Sequence, residues 1–350
     1  MMQNAARLMM RQPITEAAGY CLQTQWDEWI KQEKIFLAGG QEDSIEAVHA
    51  MRVALRRSLA LLIYLRNWLD PDWLAEEIRF NGKLLKKLGK VRDADVMAQN
   101  AAAFFQENPQ IAAHDFLNKL RAGQDQKRQA LRHDLLSKDT VKALNRHTTA
   151  LKTSDLVIRM LPAALTDSGE VRLYHLDDCL PAMLYQAAAA VTVYHSVISG
   201  QPAAPGQEEI PEPVLHQLRI AAKNFRYLLA FFQPLWGEAG ETMLKEFRVF
   251  QDVLGGWHDG IITLTLLERL GEQDEWKEAV QAWQHHQHNQ LDSLRDSFLT
   301  IWKTMTPAWF HQRLSRCLSI MAGLSDNGGT FQAAGVMPGT TGATNKRVPS

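Results

Sequence analysis

Cysteine is scarce and scattered in this 350-residue chain: Cys21, Cys179 and Cys317 stand far apart, with no CxxC spacing. That excludes a disulfide framework and a thiolate metal site, and it suits a reducing cytoplasm. Long apolar runs are missing as well. The uncharged stretch from Cys179 to Gln207 contains Pro181, Gln186 and His195 and dissolves into Gly and Pro after Ser199. It falls short of the ~18 strongly apolar residues of a membrane span and reads as a buried Ala-rich helix. The amino terminus has no apolar leader segment, since Arg7, Arg11 and Glu16 interrupt it, so secretion is not expected. Net charge is nearly nil, at -1, which excludes a uniformly basic binder of polyanions.

Catalytic signatures are absent too. There is no GxxxxGK[ST] loop, no HExxH and no GxSxG, so the chain is not expected to be an enzyme. His285 and His288 have the i, i+3 spacing of two metal ligands, but no carboxylate or Cys joins them. They read as a solvated pair, with neither metal nor cofactor expected.

What is present is a short basic phrase, written twice. Val48-His49-Ala50-Met51-Arg52-Val53-Ala54-Leu55-Arg56-Arg57 returns as Leu215-His216-Gln217-Leu218-Arg219-Ile220-Ala221-Ala222-Lys223-Asn224, with His, Arg and the later cation offset by 167 positions. Leu88-Gly89-Lys90-Val91-Arg92-Asp93 returns as Leu254-Gly255-Gly256-Trp257-His258-Asp259, offset by 166. Two blocks repeated in order at nearly constant spacing indicate an internal duplication. Local charge is far from neutral here. Between His49 and Asp93 ten Lys and Arg face four acidic residues, a patch that concentrates anions even on a neutral protein.

Helical periodicity dominates, without alternating strand patterns. Helices are expected over Thr15–Leu37, from an N-cap at Ser44 to about Leu69, and over Trp73–Leu88, Arg92–Phe105 and Ile111–Leu136. The second half repeats the plan over Asp177–Ile198, Val214–Phe232, Glu241–Leu254, His258–Leu270, Asp274–Lys303 and Trp309–Met321. Gly89 and Gly255-Gly256 read as breaks, and Pro234 with Gly237 as a turn. Residues 1–14 are an extension, 15–168 and 169–322 the two repeats with a junction near Thr166–Gly169, and 323–350 a Gly/Thr/Ala-rich tail expected to be disordered.

Residues three, four and seven apart share a helix face. His49, Arg52 and Arg56 therefore project together, as do His216, Arg219, Lys223 and Arg226. Arg79, Lys83, Lys86 and Lys90 form another stripe. Such rows repel one another unless anions lie between them. Asp93 and Asp259 read as helix-start carboxylates that orient the neighbouring cations. Nucleic acid is not expected, because no helix-turn-helix, paired stacking aromatics or zinc-finger spacing occurs. The ten Trp residues, Trp26, Trp29, Trp68 and Trp236 among them, stand where core packing places them.

The ordered set V-H-x-M-R-V-A-x-R-R, L-G-K-V-R-D-A-D-V, L-H-x-L-R-I-x-A-K and L-G-x-x-H-D resembles the CHAD family, the conserved histidine α-helical domain, over about Thr15 to Met321. The resemblance implies an all-α fold of two pseudo-symmetric helical bundles with a central basic pore or groove that binds inorganic polyphosphate. By motif position the anion-facing residues are His49, Arg52, Arg56 and Arg57, then His216, Arg219, Lys223 and Arg226. The second block adds Lys83, Lys86, Lys87, Lys90, Arg92 and His258. Arg128, Arg132, Lys138 and Lys303 fit the places of cations on later helices of the family. The implied role is targeting to, or organising, polyphosphate granules in the cytoplasm, with granule-associated proteins as further partners. The alternatives are a phosphate-transferring or polyphosphate-cleaving enzyme and a nucleic-acid binder. Three departures weaken the second repeat: Asn224 stands opposite Arg57, Gly256 and His258 replace Lys90 and Arg92, and Asp252 stands opposite Lys86. No ExExK motif occurs, so the triphosphatase module often fused to family members is not expected in this chain.

Overall fold

The computed structural model describes residues 12–152, 174–199, 210–270 and 276–323. The expected junction at 166–169, most of the loop after Ser199 and nearly all of the tail lie outside these residues. The described chain forms ten helices and no named strand, with one isolated bridge between Pro13 and His175. None of these helices is long and apolar enough to cross a membrane.

Helix α1 (Ile14–Ala38) ends where expected, at Gly39, whose φ of 90° closes the helix in the left-handed conformation. Helix α2 (Gln41–Leu65) begins three residues before the expected cap. Ser44 lies inside its first turn and its hydroxyl donates to the Gly40 carbonyl. The cap of α3 (Pro71–Glu107) is Asp70, whose carboxylate accepts from the Trp73 N–H at 2.8 Å, with Pro71 preset at the first position.

Helix α3 corrects one expectation: it runs through Gly89 without a break. A helical glycine costs about 1 kcal/mol relative to alanine, and the buried face of Leu84, Leu88 and Val91 on either side of it outweighs that. Helix α4 (His114–Leu135) follows, and then α5 (Lys138–Lys152), which the periodicity reading missed. α5 is held at a few points. Thr148 accepts from the Trp26 indole N–H at 2.9 Å, and buried His147 contacts Glu77 at 2.9 Å beside the rings of Trp26 and Phe80.

In the second half, α6 (Leu176–Ser199) is the Ala-rich helix, buried from Leu176 to Val191 along one side. Helix α7 (Glu212–Phe231) carries His216, and α8 (Gln233–Leu270) is interrupted only at Gly237, the expected turn. The break expected at Gly255-Gly256 is absent. Gly256 serves packing instead, as does Gly260 one turn on, whereas Gly255 has open space where a Cβ would stand. A Cβ on Gly256 would meet Leu294 at 3.3 Å and one on Gly260 would meet Leu291 at 2.7 Å, so the missing side chains let α9 (Lys277–Thr304) lie close against α8. Asp93 and Asp259 are consequently mid-helix, not at helix starts. α10 (Pro307–Met321) closes the chain.

The largest core mixes both halves: Ile14, Leu22, Leu61 and Leu65 pack with Leu180, Met183, Phe225, Phe247 and Trp302. A second core joins Trp26, Trp29 and Phe36 to Val48, Met51, Leu55, Leu88 and Leu131. A third gathers Phe104, Phe105 and Phe116 with Trp276 and Trp283. Each such buried large side chain contributes roughly 1.5–3 kcal/mol. These cores fix α2 against α7, which decides where the repeated cations meet.

Candidate functional site

Val48 and Leu215 are fully buried, and the residue after each, His49 and His216, therefore stands at the border of the core. One turn further along each helix, the cations leave the core on the side where α2 and α7 face each other. A cleft of about 360 Å³ opens there. His49, Arg52 and Arg56 line it from α2, Arg219, Lys223 and Arg226 from α7, and Asp252, Gly255, Gly256 and Asp259 from α8. The two copies of the basic phrase thus share one cavity.

Electrostatics in the cleft are those of like charges held close. Burial and the neighbouring Arg56 bring Arg52 down to about 10, with Asp93 opposing and Arg219 and Arg92 adding to the depression. Burial, Arg219 and Arg56 bring Lys223 down to about 7. His49 is lowered by burial and by Arg92. His216 is lowered by burial, by His258 and by Arg219. The guanidinium Nε atoms of Arg52, Arg219 and Arg226 are buried without a hydrogen-bond partner among the described residues. Such donors are costly to leave unmade.

One carboxylate is engaged inside the cleft. Asp259 accepts from Arg219 Nη2 at 2.7 Å and lies 3.4 Å from His258 Nδ1. Burial pushes Asp259 up, but the His258 hydrogen bond and the charges of Arg219 and Lys223 hold it below the usual carboxylate range. His258 is buried, and its Nε2 is 2.8 Å from His216 Nδ1. Sequence reasoning assigned His216 and His258 to the basic row. The structure makes them a pair behind it.

Other expected residues are placed elsewhere. Arg57 lines a neighbouring groove of about 230 Å³ with Tyr20, Gln25 and Phe231. Tyr227 separates it from Arg226, the two guanidiniums lying 5.9 and 5.3 Å from the ring centroid. Arg92 stays outside the lining but acts on His49 and Arg52 through its charge. Lys83, Lys86 and Lys90 are exposed on α3, Lys138 on α5 and Lys303 on α9, and none lines the cleft. Lys87 is paired with Asp134 at 2.6 Å.

Two arginines are committed to the fold. Arg128, 8% exposed, donates to fully buried Asp95 at 2.7 Å, and Gln124 donates to the same oxygen. Arg132 donates to the carbonyls of Phe36 and Leu37 at 2.9 and 3.1 Å, so it caps the C-terminus of α1 beside Gly39. Their sequence positions fit a cation row, but only the packing reveals the acceptors waiting for them.

The residues that sequence reasoning missed are Gln251 and Tyr227, which line the cleft. Neither carries a charge to flag it. On α9, His288 Nδ1 lies 2.8 Å from the Gln284 carbonyl, and His286 packs near Phe104. His175, Asp177 and Asp178 cluster at the start of α6, where the Asp178 carboxylate accepts from the His175 backbone N–H at 2.9 Å as a helix cap.

Comparison with known proteins follows the same lines. No curated protein matches the chain in sequence. Among solved structures, the CHAD domain from the plant Ricinus communis superposes with a TM-score of 0.60 at 19% identity, covering 90% of this chain and 94% of that one. PptA from Streptomyces chartreusis superposes with a TM-score of 0.62 at 14% identity, covering 83% and 100%. At these identities the likeness is one of fold. The CHAD domain profile matches residues 20–268, which span the cleft and both copies of the basic phrase. The chain belongs to the CHAD family.

Proposed function

We propose that the cleft between α2 and α7 binds inorganic polyphosphate, and that the two basic phrases arose by duplication and supply opposite walls of one pore. The observation that carries this reading is the convergence of Arg52, Arg56, Arg219, Lys223 and Arg226 on a single cavity, where the buried Nε–H groups of Arg52, Arg219 and Arg226 have no acceptor among the described residues. Like charges so placed oppose folding unless a polyanion lies among them. Each internal phosphate of the polymer carries a negative charge, so an extended chain meets successive arginines, whose planar forks suit phosphate oxygens. The exposed stripe of Lys83, Lys86 and Lys90 offers a track for the chain beyond the cleft. The protein acts as a binding protein at cytoplasmic polyphosphate granules, targeting or organising them together with granule-associated proteins.

Titration with phosphate chains of graded length, from pyrophosphate upward, tests this. Affinity rises with length as more cations are engaged. Affinity that does not improve beyond pyrophosphate rejects the reading in favour of a compact phosphate site. Release of phosphate from the polymer during the same incubation identifies an enzyme. Preference for nucleic acid at equal phosphate concentration identifies a nucleic-acid binder.

A further inference from the structure

Lys223 is the lysine on the wall of the cleft, and its neighbours are guanidinium groups: Arg219 one turn away on α7, and Arg52 and Arg56 across on α2. The carboxylate whose field reaches it, Asp259 on α8, is already bonded to Arg219. A solvated surface lysine is hydrated and charged, whereas this one is half-buried among cations that repel a further positive charge. Burial and those arginines bring it down to about 7, so near neutrality much of it is a free amine with an available lone pair. The same arginines are good phosphate donors. The cleft thus combines a nucleophile with a cradle for a phosphate leaving group.

We infer that Lys223 is a site of covalent acylation by acyl phosphates, with the cleft's arginines holding the phosphate end of the donor. The amine lone pair attacks the acyl carbon. The C–N bond forms as the bond from that carbon to the phosphate oxygen breaks, and its electron pair leaves on inorganic phosphate. The amine's proton passes to the phosphate or to water, and nothing is oxidised or reduced. The product is a neutral amide, so the cleft loses a cation. The step requires only that a phosphate group enters the cleft. It does not require polyphosphate to be the resident ligand.

Incubating the whole protein with acetyl phosphate near neutral pH, followed by site-resolved mass spectrometry, tests the inference. An ordinary lysine amine titrates near ~10.4 and is almost wholly charged there. The lower basicity of Lys223 returns part of that advantage as weaker nucleophilicity, with a Brønsted slope of ~0.4–0.5 taken from thiols. The net expectation is acetylation roughly 30-fold faster than at exposed Lys86 and Lys303. That preference shrinks with p-nitrophenyl acetate, a neutral donor that the arginines cannot recruit. Arg52→Gln plus Arg56→Gln lowers the Lys223 rate toward that of Lys86. In the unaltered protein, added inorganic phosphate slows Lys223 and leaves Lys86 unchanged, a control that needs no variant to fold. Lys223 reacting no faster than Lys86 and Lys303 overturns the inference, as does an equal preference with the neutral donor. Polyphosphate affinity, titrated on the same sample, stands or falls separately.

Discussion

His216 Nδ1 and His258 Nε2 lie 2.8 Å apart across the seam between α7 and α8. Asp259 beside His258 Nδ1 favours the tautomer in which that nitrogen bears the proton, so His258 Nε2 accepts from His216 Nδ1–H. Through Asp259 the pair reaches Arg219. His49, its counterpart in sequence, lines the cleft directly. The two histidines of the repeated phrase therefore differ in place: one lines the cleft and the other stands behind it, linked to Arg219 through His258 and Asp259.

Binding of long polyphosphate falls steeply with added salt, because each Lys or Arg contact releases condensed counterions. Titrations between about 50 and 200 mM salt check this, and a flat response removes the electrostatic mode.

The first-repeat wall contributes more than the second. Arg219 is partly neutralised by Asp259, and Lys223 is only partly charged near neutrality, while Arg52 has no carboxylate within bonding distance among the described residues. Arg52→Ala plus Arg56→Ala therefore weakens binding more than Arg219→Ala plus Lys223→Ala, with each charged contact worth ~1–3 kcal/mol. Asp259→Asn has the opposite sign. It removes a competing anion and tightens binding by up to about 1 kcal/mol at low salt. Equal losses from the two double variants, both still folded, contradict the asymmetry.

Affinity rises as pH falls from about 8 to 6, and Lys223 dominates the slope. In the free cleft its proton is held with a pKa of about 7, and a bound polyanion reverses the local potential and raises it, so binding takes up protons. Lys223→Arg keeps the charge throughout this range and flattens the slope. His49→Gln plus His216→Gln plus His258→Gln flattens it less. A larger effect from the triple histidine variant assigns the proton to the histidines instead.

Stability carries the same signature with its own sign. Between about 7 and the usual lysine value of ~10.4, the unfolded chain holds the Lys223 proton and the folded cleft does not. Folding stability therefore rises with pH through that window and falls as pH returns to 7. Lys223→Met raises the melting temperature at neutral pH, reduces this slope and weakens polyanion binding. A lowered melting temperature shows that Lys223 is not under electrostatic strain.

Arg128 serves the fold. Asp95→Ala leaves its buried guanidinium with only the exposed Asp125, 3.7 Å away, and destabilises by about 3–5 kcal/mol. Arg128→Ala is similarly costly. Polyphosphate affinity of the folded fraction is unchanged by either, as titration after measured unfolding verifies.

The helices of this protein are largely legible in its sequence, because apolar spacing, Asp70-Pro71 and Gly39 act within a turn or two of where they stand. Gly89 and Gly255-Gly256 were not, since a glycine reads alike whether it breaks a helix or lets one pack closely. At Gly256 the approach of Leu294 decides for packing, whereas Gly89 and Gly255 have open space where a Cβ would stand and are carried by the buried faces of their helices. Helix α5 escaped for a related reason: its anchoring residues, buried Leu144 and His147 and half-buried Thr148, are few, and their partners lie on α1 and α3.

The sequence by itself determined the all-helical class, the CHAD kinship and which residues form the repeated row of His, Arg and Lys, because spacing along a helix dictates which side chains share a face. Tertiary structure alone decided which cations face a common cavity. Charge carries no address in sequence: Arg128 and Arg132 resemble cleft arginines until Asp95 and the end of α1 claim them. Nor does sequence reveal that Lys223 is held to about 7, since a proton's affinity depends on burial and on charges that only the packing of α2 against α7 brings to one cleft.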